Sequence, residues 1–77
     1  MTPSTLASLE RRLAQLPPDG HPRRCAVDAL GDDIALHYAG SVIKRGKAVR
    51  LDIAGIAAHG VGVDGALRNW CSVARGA

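Results

Sequence analysis

The stretch CAVDALGDDIALHYAGSVIKRGKAVRLDIAGIA, residues 25–57, decides how the chain is read. Turns at Gly31-Asp32 and Arg45-Gly46 divide it into three runs in which apolar and polar residues alternate. In that phase Cys25, Val27, Ala29, Ile34, Leu36, Tyr38, Gly40, Val42, Val49, Leu51, Ile53, Gly55 and Ala57 share one face, and no charge falls among them. Strand side chains alternate with period two, so a slip of one residue would bring charges onto that face. The pattern predicts three antiparallel strands over about 25–30, 33–44 and 47–57.

Helical patterns flank this block. Thr2-Pro3-Ser4 offers a capping hydroxyl and a proline suited to a first turn, and Leu6, Leu9, Leu13 and Leu16 follow at helical spacing. The spacing predicts a helix over about 3–16, stopped by Pro17-Pro18-Asp19-Gly20, with a linker over 17–24. After Gly60 and Gly62 break the third strand, Val63, Leu67, Trp70 and Ala74 mark the buried stripe of a helix over about 63–75. Asp64 lies near its N-terminus, where the helix dipole favours an anion. A three-stranded sheet with one apolar face needs a cover, and each helix has one stripe to bury. The expected fold is α+β: residues 1–77 as one small αβββα domain, a three-stranded antiparallel meander with two helices packed on one face.

The opposite sheet face would carry Ala26, Asp28, Leu30, Ala35, His37, Ala39, Ser41, Ile43, Ala48, Arg50, Asp52, Ala54 and Ile56. Alanine is depleted in strands, so so many of them on a solvated face is anomalous. Either base composition has favoured alanine, or another surface approaches closely there. On the second reading Ile43 and Ile56 supply apolar area to an interface, with a second copy in a homodimer or with a target.

Composition narrows the classes. A core built from 77 residues supplies only about 3–5 kcal/mol of net stability. Two cysteines do not make a secreted disulfide framework; no charged-then-apolar leader opens the chain and no apolar run reaches membrane-span length, so a protein of a reducing cytoplasm is expected, with no membrane partner. With one Trp, one Tyr and no Phe, a base-stacking sheet surface is not expected.

Candidate catalytic sites dissolve. Gly60-Val61-Gly62-Val63-Asp64-Gly65 fits G-x-G-x-x-G, but a dinucleotide crevice needs parallel βαβ units that the 17 residues after position 60 cannot supply. The glycines are expected to be turn residues. Cys25, Cys71, His21, His37 and His59 lack the paired close spacing of zinc modules, so no metal is expected; Cys25 reads as a core residue and Cys71 as a helix residue near the core, both reduced. Asp32-Asp33 reads as a turn pair. No catalytic residue, cofactor or enzymatic activity is expected.

The basic residues are distinctive. Lys44, Arg45 and Lys47 crowd the second hairpin tip, Arg50 lies just inside it, and Arg23-Arg24 leads into the first run. Four positive charges within seven residues, with no acid between them, make the sharpest local potential on a chain of net charge +3. They are either solvation and edge protection of a hairpin or a contact site for an acidic protein or a nucleic acid.

Three resemblances bear on function. The segment Gly46 to Trp70 resembles the HicB-type antitoxin domain: Leu51-Asp52-Ile53-Ala54-Gly55 matches its hairpin running into Asp-Leu-Pro-Gly, His59-Gly60 its polar turn, and Asp64-Gly65-Ala66-Leu67-Arg68-Asn69 its helix start. Ala54 stands where that family has Pro, Gly62 where Ser or Thr caps, and Gly65 where an acid is usual. The αβββα order is similar to the double-stranded-RNA-binding domain, and Gly60 and Gly62 match its turn, but Asp64, Gly65 and Ala66 occupy the places of its phosphate-gripping cations. Small size without active-site chemistry is similar to phage inhibitors such as anti-CRISPR proteins. These resemblances imply a non-enzymatic protein-binding module that neutralises a nucleic-acid-processing partner, a nuclease or nuclease complex. The alternative is a small basic nucleic-acid-binding domain. The expected partner-binding residues are Lys44, Arg45, Lys47, Arg50, Ile43, Ile56, Arg23 and Arg24, of which the alternative uses the basic hairpin and Arg23-Arg24.

Overall fold

The structure, a computed structural model, describes residues 3–76. Helix α1 spans Pro3–Ala14, α2 Gly20–His37 and α3 Gly62–Gly76; strands β1 Ser41–Arg45, β2 Ala48–Ile53 and β3 Ile56–Val61 form an antiparallel sheet in the order β1-β2-β3. The fold is α+β with a three-stranded antiparallel meander, as the alternation implied. Its order is ααβββα, one helix more than expected. Thr2, expected to cap α1, lies outside the described residues.

The correction falls on residues 25–37. The expected first strand and the start of the second are one helix, α2, which begins inside the expected linker. Val27, Leu30, Gly31, Ile34 and Tyr38 recur at helical spacing, and these residues are buried or half-buried. The alternation of Cys25, Val27 and Ala29 was too short to exclude a helical period. Ala26, Ala29 and Ala35, anomalous on a strand, are at home here because alanine has the best helix propensity. Gly31 is not a turn residue: it is buried where α2 meets α3, and a Cβ there would lie 3.4 Å from Val63 Cγ2.

A second correction concerns sheet phase. The expected third strand ran through a turn. Ala54 and Gly55 both adopt positive φ, 54° and 78°, and close a two-residue β2–β3 hairpin. Alanine there hides the usual Asn-Gly or Asp-Gly signal. The turn inverts the expected phase, so Ala58 is buried and Ile56 half-buried, whereas Gly55 and Ala57 are exposed. The β1–β2 turn is Gly46-Lys47, one residue later than expected. On β2 the phase is as read: Val49, Leu51 and Ile53 are buried, and Ala48, Arg50 and Asp52 exposed.

One sheet face carries the core. Leu9, Leu30, Ile34, Val49, Leu51, Ile53, Ala58, Val63, Ala66, Leu67, Trp70, Cys71 and Ala74 make a single cluster. Helix α3 lies across β2 and β3, α1 packs on α3, and α2 bridges α3 and β1. Trp70 anchors the assembly. Its ring is fully buried, and its indole N–H donates to the carbonyls of Ile53, at 3.2 Å, and Ile56, at 3.1 Å, on either side of the β2–β3 turn. Gly60 lets α3 approach β3, since a Cβ there would lie 2.6 Å from the Gly65 carbonyl carbon. The G-x-G-x-x-G glycines thus include a strand–helix contact, correcting the turn assignment, and Gly62 opens α3 directly.

Ion pairs tie the helices at their surfaces: Arg75 to Glu10, 2.6 Å, joins α3 to α1; Arg12 to Asp33, 2.6 Å, joins α1 to α2; Arg23 to Asp64, 2.7 Å, joins α2 to α3. Surface pairs of this kind contribute about 0–1 kcal/mol each.

Candidate functional site: the open sheet face and its basic hairpin

With the helices on one face, the other face of the sheet is open. Its register is a grid of three cross-strand rows. Arg45, Ala48 and Val61 form the row nearest the Gly46-Lys47 turn; Ile43, Arg50 and His59 form the middle row; Ser41, Asp52 and Ala57 form the third. All nine residues are exposed. Ile43, Arg45, Ala48, Val49, Arg50 and His59 line a shallow depression of about 330 Å³. Apolar Ile43 and Ala48 lie there beside Arg45 and His59, with Arg50 at the centre of the grid. Val61 adjoins it with 73% of its surface exposed, so apolar area continues to the sheet edge.

The hairpin cations divide by position. Arg45 and Arg50 stand on the open face, Lys47 is in the turn, and Lys44, paired with Val49, faces the helix side. There Lys44, Lys47 and Asp28 of α2 line a second shallow depression. Among the described residues none of Lys44, Arg45, Lys47 and Arg50 forms an ion pair, whereas Arg12, Arg23 and Arg75 all do. The hairpin charge is therefore left for solvent or a partner.

Of the other expected contact residues, Ile43, 49% exposed, stands on the open face in the middle row. Ile56 is on the helix side, packed against the core, and is removed from the open face by the phase inversion at Ala54-Gly55. Arg23 and Arg24 lie on α2, not at a strand entry. Arg23 is consumed internally: its guanidinium donates to the Pro17 carbonyl, 2.9 Å, and to Asp64 Oδ2, 2.7 Å. Arg24 is exposed beside the α2–α3 junction. Of the other residues assigned to the open face, Leu30 is core, and Ala26, Asp28, Ala35 and His37 belong to α2. His59 and Val61 were missed. Reading Ala54-Gly55 as a turn would have placed both on the open face by alternation.

Ion-pairing and burial set the two shifted acidities. Partial burial raises the Asp64 carboxyl, but the Arg23 guanidinium and the backbone N–H of Gly65 outweigh it and hold the pKa below the ordinary carboxylate value. Burial, helped by the Glu10 charge and opposed by Arg75, pushes the Cys71 thiol up. Cys25, expected in the core, is exposed on α2, with His21 Nε2 3.4 Å from its sulfur. Asp32 and Asp33 also lie on α2 rather than in a turn, and Asp33 pairs with Arg12. Among the described residues no group of three or more His, Cys, Asp or Glu side chains is gathered to hold a metal ion, and no helix is long and apolar enough to cross a membrane.

Compared with known proteins, the chain matches no family model, no curated protein and no solved structure.

Proposed function

We propose that the chain is a non-enzymatic protein-binding module that neutralises a nucleic-acid-processing partner, as an antitoxin or a phage-encoded inhibitor such as an anti-CRISPR protein does. The observation that carries this reading is the open-face grid: exposed apolar Ile43, Ala48 and Val61 interleaved with Arg45 and Arg50, neither of which forms an ion pair. Apolar area interleaved with arginine suits a protein interface, where arginine is enriched. The sign of these charges selects an acidic partner surface. Nucleases that work through divalent metal ions gather carboxylates to hold them, and a cationic hairpin complements such a cleft.

Direct nucleic-acid binding by Lys44, Arg45, Lys47 and Arg50 is the second reading, favoured by the spread of these cations over both sides of one hairpin tip. Salt separates the two. Phosphate contacts release counterions, giving an affinity that falls with a log–log slope of about −0.9 per contact on duplex DNA. The test titrates the chain with fluorescent duplex and single-stranded oligonucleotides across salt. In parallel, immobilised chain is exposed to nuclease-treated host lysate, and the nucleic-acid-degrading activity that it removes is assayed. Depletion of such an activity by the wild type, and not by Arg45→Glu/Arg50→Glu, supports the proposal. Tight oligonucleotide binding with a steep salt slope, without depletion, replaces it with the second reading.

A further inference from the structure

The sheet has two edges, and they are finished differently. Each hairpin turns in two residues, Gly46-Lys47 and Ala54-Gly55. The pairs that close them, Arg45 with Ala48 and Ile53 with Ile56, exchange both ladder hydrogen bonds, and the pairs alternate from there. The backbone groups of Val42 and Lys44 on β1, and of Ala57, His59 and Val61 on β3, therefore point away from the sheet. On β3 the middle of that row is taken: Asn69 Nδ2 of α3 donates to the His59 carbonyl, 2.7 Å. On β1 no described residue bonds the outward backbone groups of Val42 or Lys44, and every residue of the strand except Val42 is exposed. An edge with its row free is a template for one more strand.

We propose that β1 is a docking edge for an extended acidic segment of a protein partner, which joins the sheet as an additional antiparallel strand. The side chains of β1 define the strand that fits. Ser41, Ile43 and Arg45 stand on the open face, and Val42 and Lys44 on the helix side. Lys44 and Arg45 are thus neighbours on opposite faces, and among the described residues neither forms an ion pair. Two consecutive acids on the incoming strand meet both, one on each face, and the residues after them lie beside Ile43 and Val42, where apolar side chains pack. The same two cations repel a strand of like charge, which makes the edge selective as well as protected. The inference rests on the functional reading for the existence of that partner; binding at the edge is tested without it.

The probe is the sequence Glu-Glu-Val-Val-Thr held as one strand of a cyclic hairpin, so that it is ordered before it binds. Added to the isotope-labelled full chain, it should slow amide exchange at Val42 and Lys44, which is fast in the free protein, and leave Ala57 and His59 unchanged. Lys44→Pro removes an outward N–H where an edge strand tolerates proline. It should weaken probe binding about tenfold or more at high salt, where charge is screened. Lys44→Thr keeps the N–H and should bind as wild type there, losing affinity only at low salt. Circular dichroism should show both variants folded. In the lysate assay Lys44→Pro should deplete less nucleic-acid-degrading activity than wild type. Protection confined to β3, equal binding of a probe with two lysines in place of the glutamates, or a wild-type dimer that Lys44→Pro dissociates would each overturn the proposal. So would depletion by wild type that Lys44→Pro matches, which would leave the functional reading standing. Probe binding at β1 without depletion by wild type supports the edge and removes the functional reading instead.

Discussion

Replacing glycine by alanine at positions 31 and 60 should have opposite consequences, and the contrast tests the helix assignment that separates the structure from the sequence pattern. At Gly60 an added Cβ would meet only backbone: the carbonyl carbon of Gly65 at 2.6 Å, the nitrogen of Ala66 at 2.7 Å and the oxygen of Gly65 at 2.8 Å. None of these can rotate away, so α3 must lift from β3 or the strand must bend. Overpacking of this kind costs about 1–3 kcal/mol, and the rigid surroundings place Gly60→Ala at the upper end. That is a large fraction of the roughly 3–5 kcal/mol available to so small a domain. At Gly31 the added Cβ would meet a side chain instead, Val63 Cγ2 at 3.4 Å and Cγ1 at 3.9 Å, close to ordinary contact. Gly31 is also inside a helix and has no positive φ, so alanine there gains about 0.4–1 kcal/mol from propensity and unfolded-state entropy. Gly31→Ala should be neutral or stabilising. Urea unfolding of both variants and wild type, fitted with a common m-value, gives the two differences. A Gly31→Ala loss above about 1 kcal/mol would be the behaviour of a turn glycine and would refute the helix; a Gly60→Ala change within about 0.5 kcal/mol would refute the strand–helix contact.

The Arg23–Asp64 pair, with side chains 27% and 23% exposed, should contribute about 1 kcal/mol near neutral pH. Since the folded carboxyl titrates below its unfolded value, that contribution is present above the unfolded pKa and lost as pH falls through the folded one; the stability gap between wild type and Arg23→Gln should close as pH falls through and below the ordinary carboxylate range, and a gap independent of pH would contradict the assignment. Ile43→Glu should leave the unfolding free energy within about 0.5 kcal/mol of wild type, while Ile56→Glu, which puts a carboxylate against the core, should cost more than about 2 kcal/mol; equal effects in urea unfolding would place both on one face. A thiol reagent should modify Cys25 rapidly in the native protein and Cys71 only on unfolding, because Cys71 is buried with its thiol pKa raised; one fast phase for both would show that α3 does not cover it.

Much of this architecture is written in local pattern. Helix α3 is legible because Val63, Leu67, Trp70 and Ala74 hold one stripe through about three turns, and β2 because Val49, Leu51 and Ile53 alternate with Ala48, Arg50 and Asp52. Helix α2 is not, for a physical reason: its buried stripe includes Gly31, whose role is to have no side chain, and Tyr38 lies beyond its last turn. Period two and period 3.6 then agree over too many of its positions. The abundance of alanine was the discriminating signal, pointing to helix rather than to an unusual sheet face. The cationic hairpin was readable because exposed charge needs no tertiary partner, but that Arg23 is held by Asp64, 41 residues away in sequence, is a property of the folded chain alone. His59 and Val61 entered the open face only with the Ala54-Gly55 turn, whose positive φ at alanine no propensity announces.

The central claim is that the open sheet face and its unpaired cations engage an acidic protein surface. It is tested most directly by measuring how much nucleic-acid-degrading activity immobilised chain removes from nuclease-treated host lysate, for wild type, for Arg45→Glu/Arg50→Glu and for Ile43→Glu. The account predicts that wild type depletes the activity, that both variants remain folded by circular dichroism, and that both fail to deplete it. Equal depletion by all three proteins, or no depletion by wild type, would contradict it.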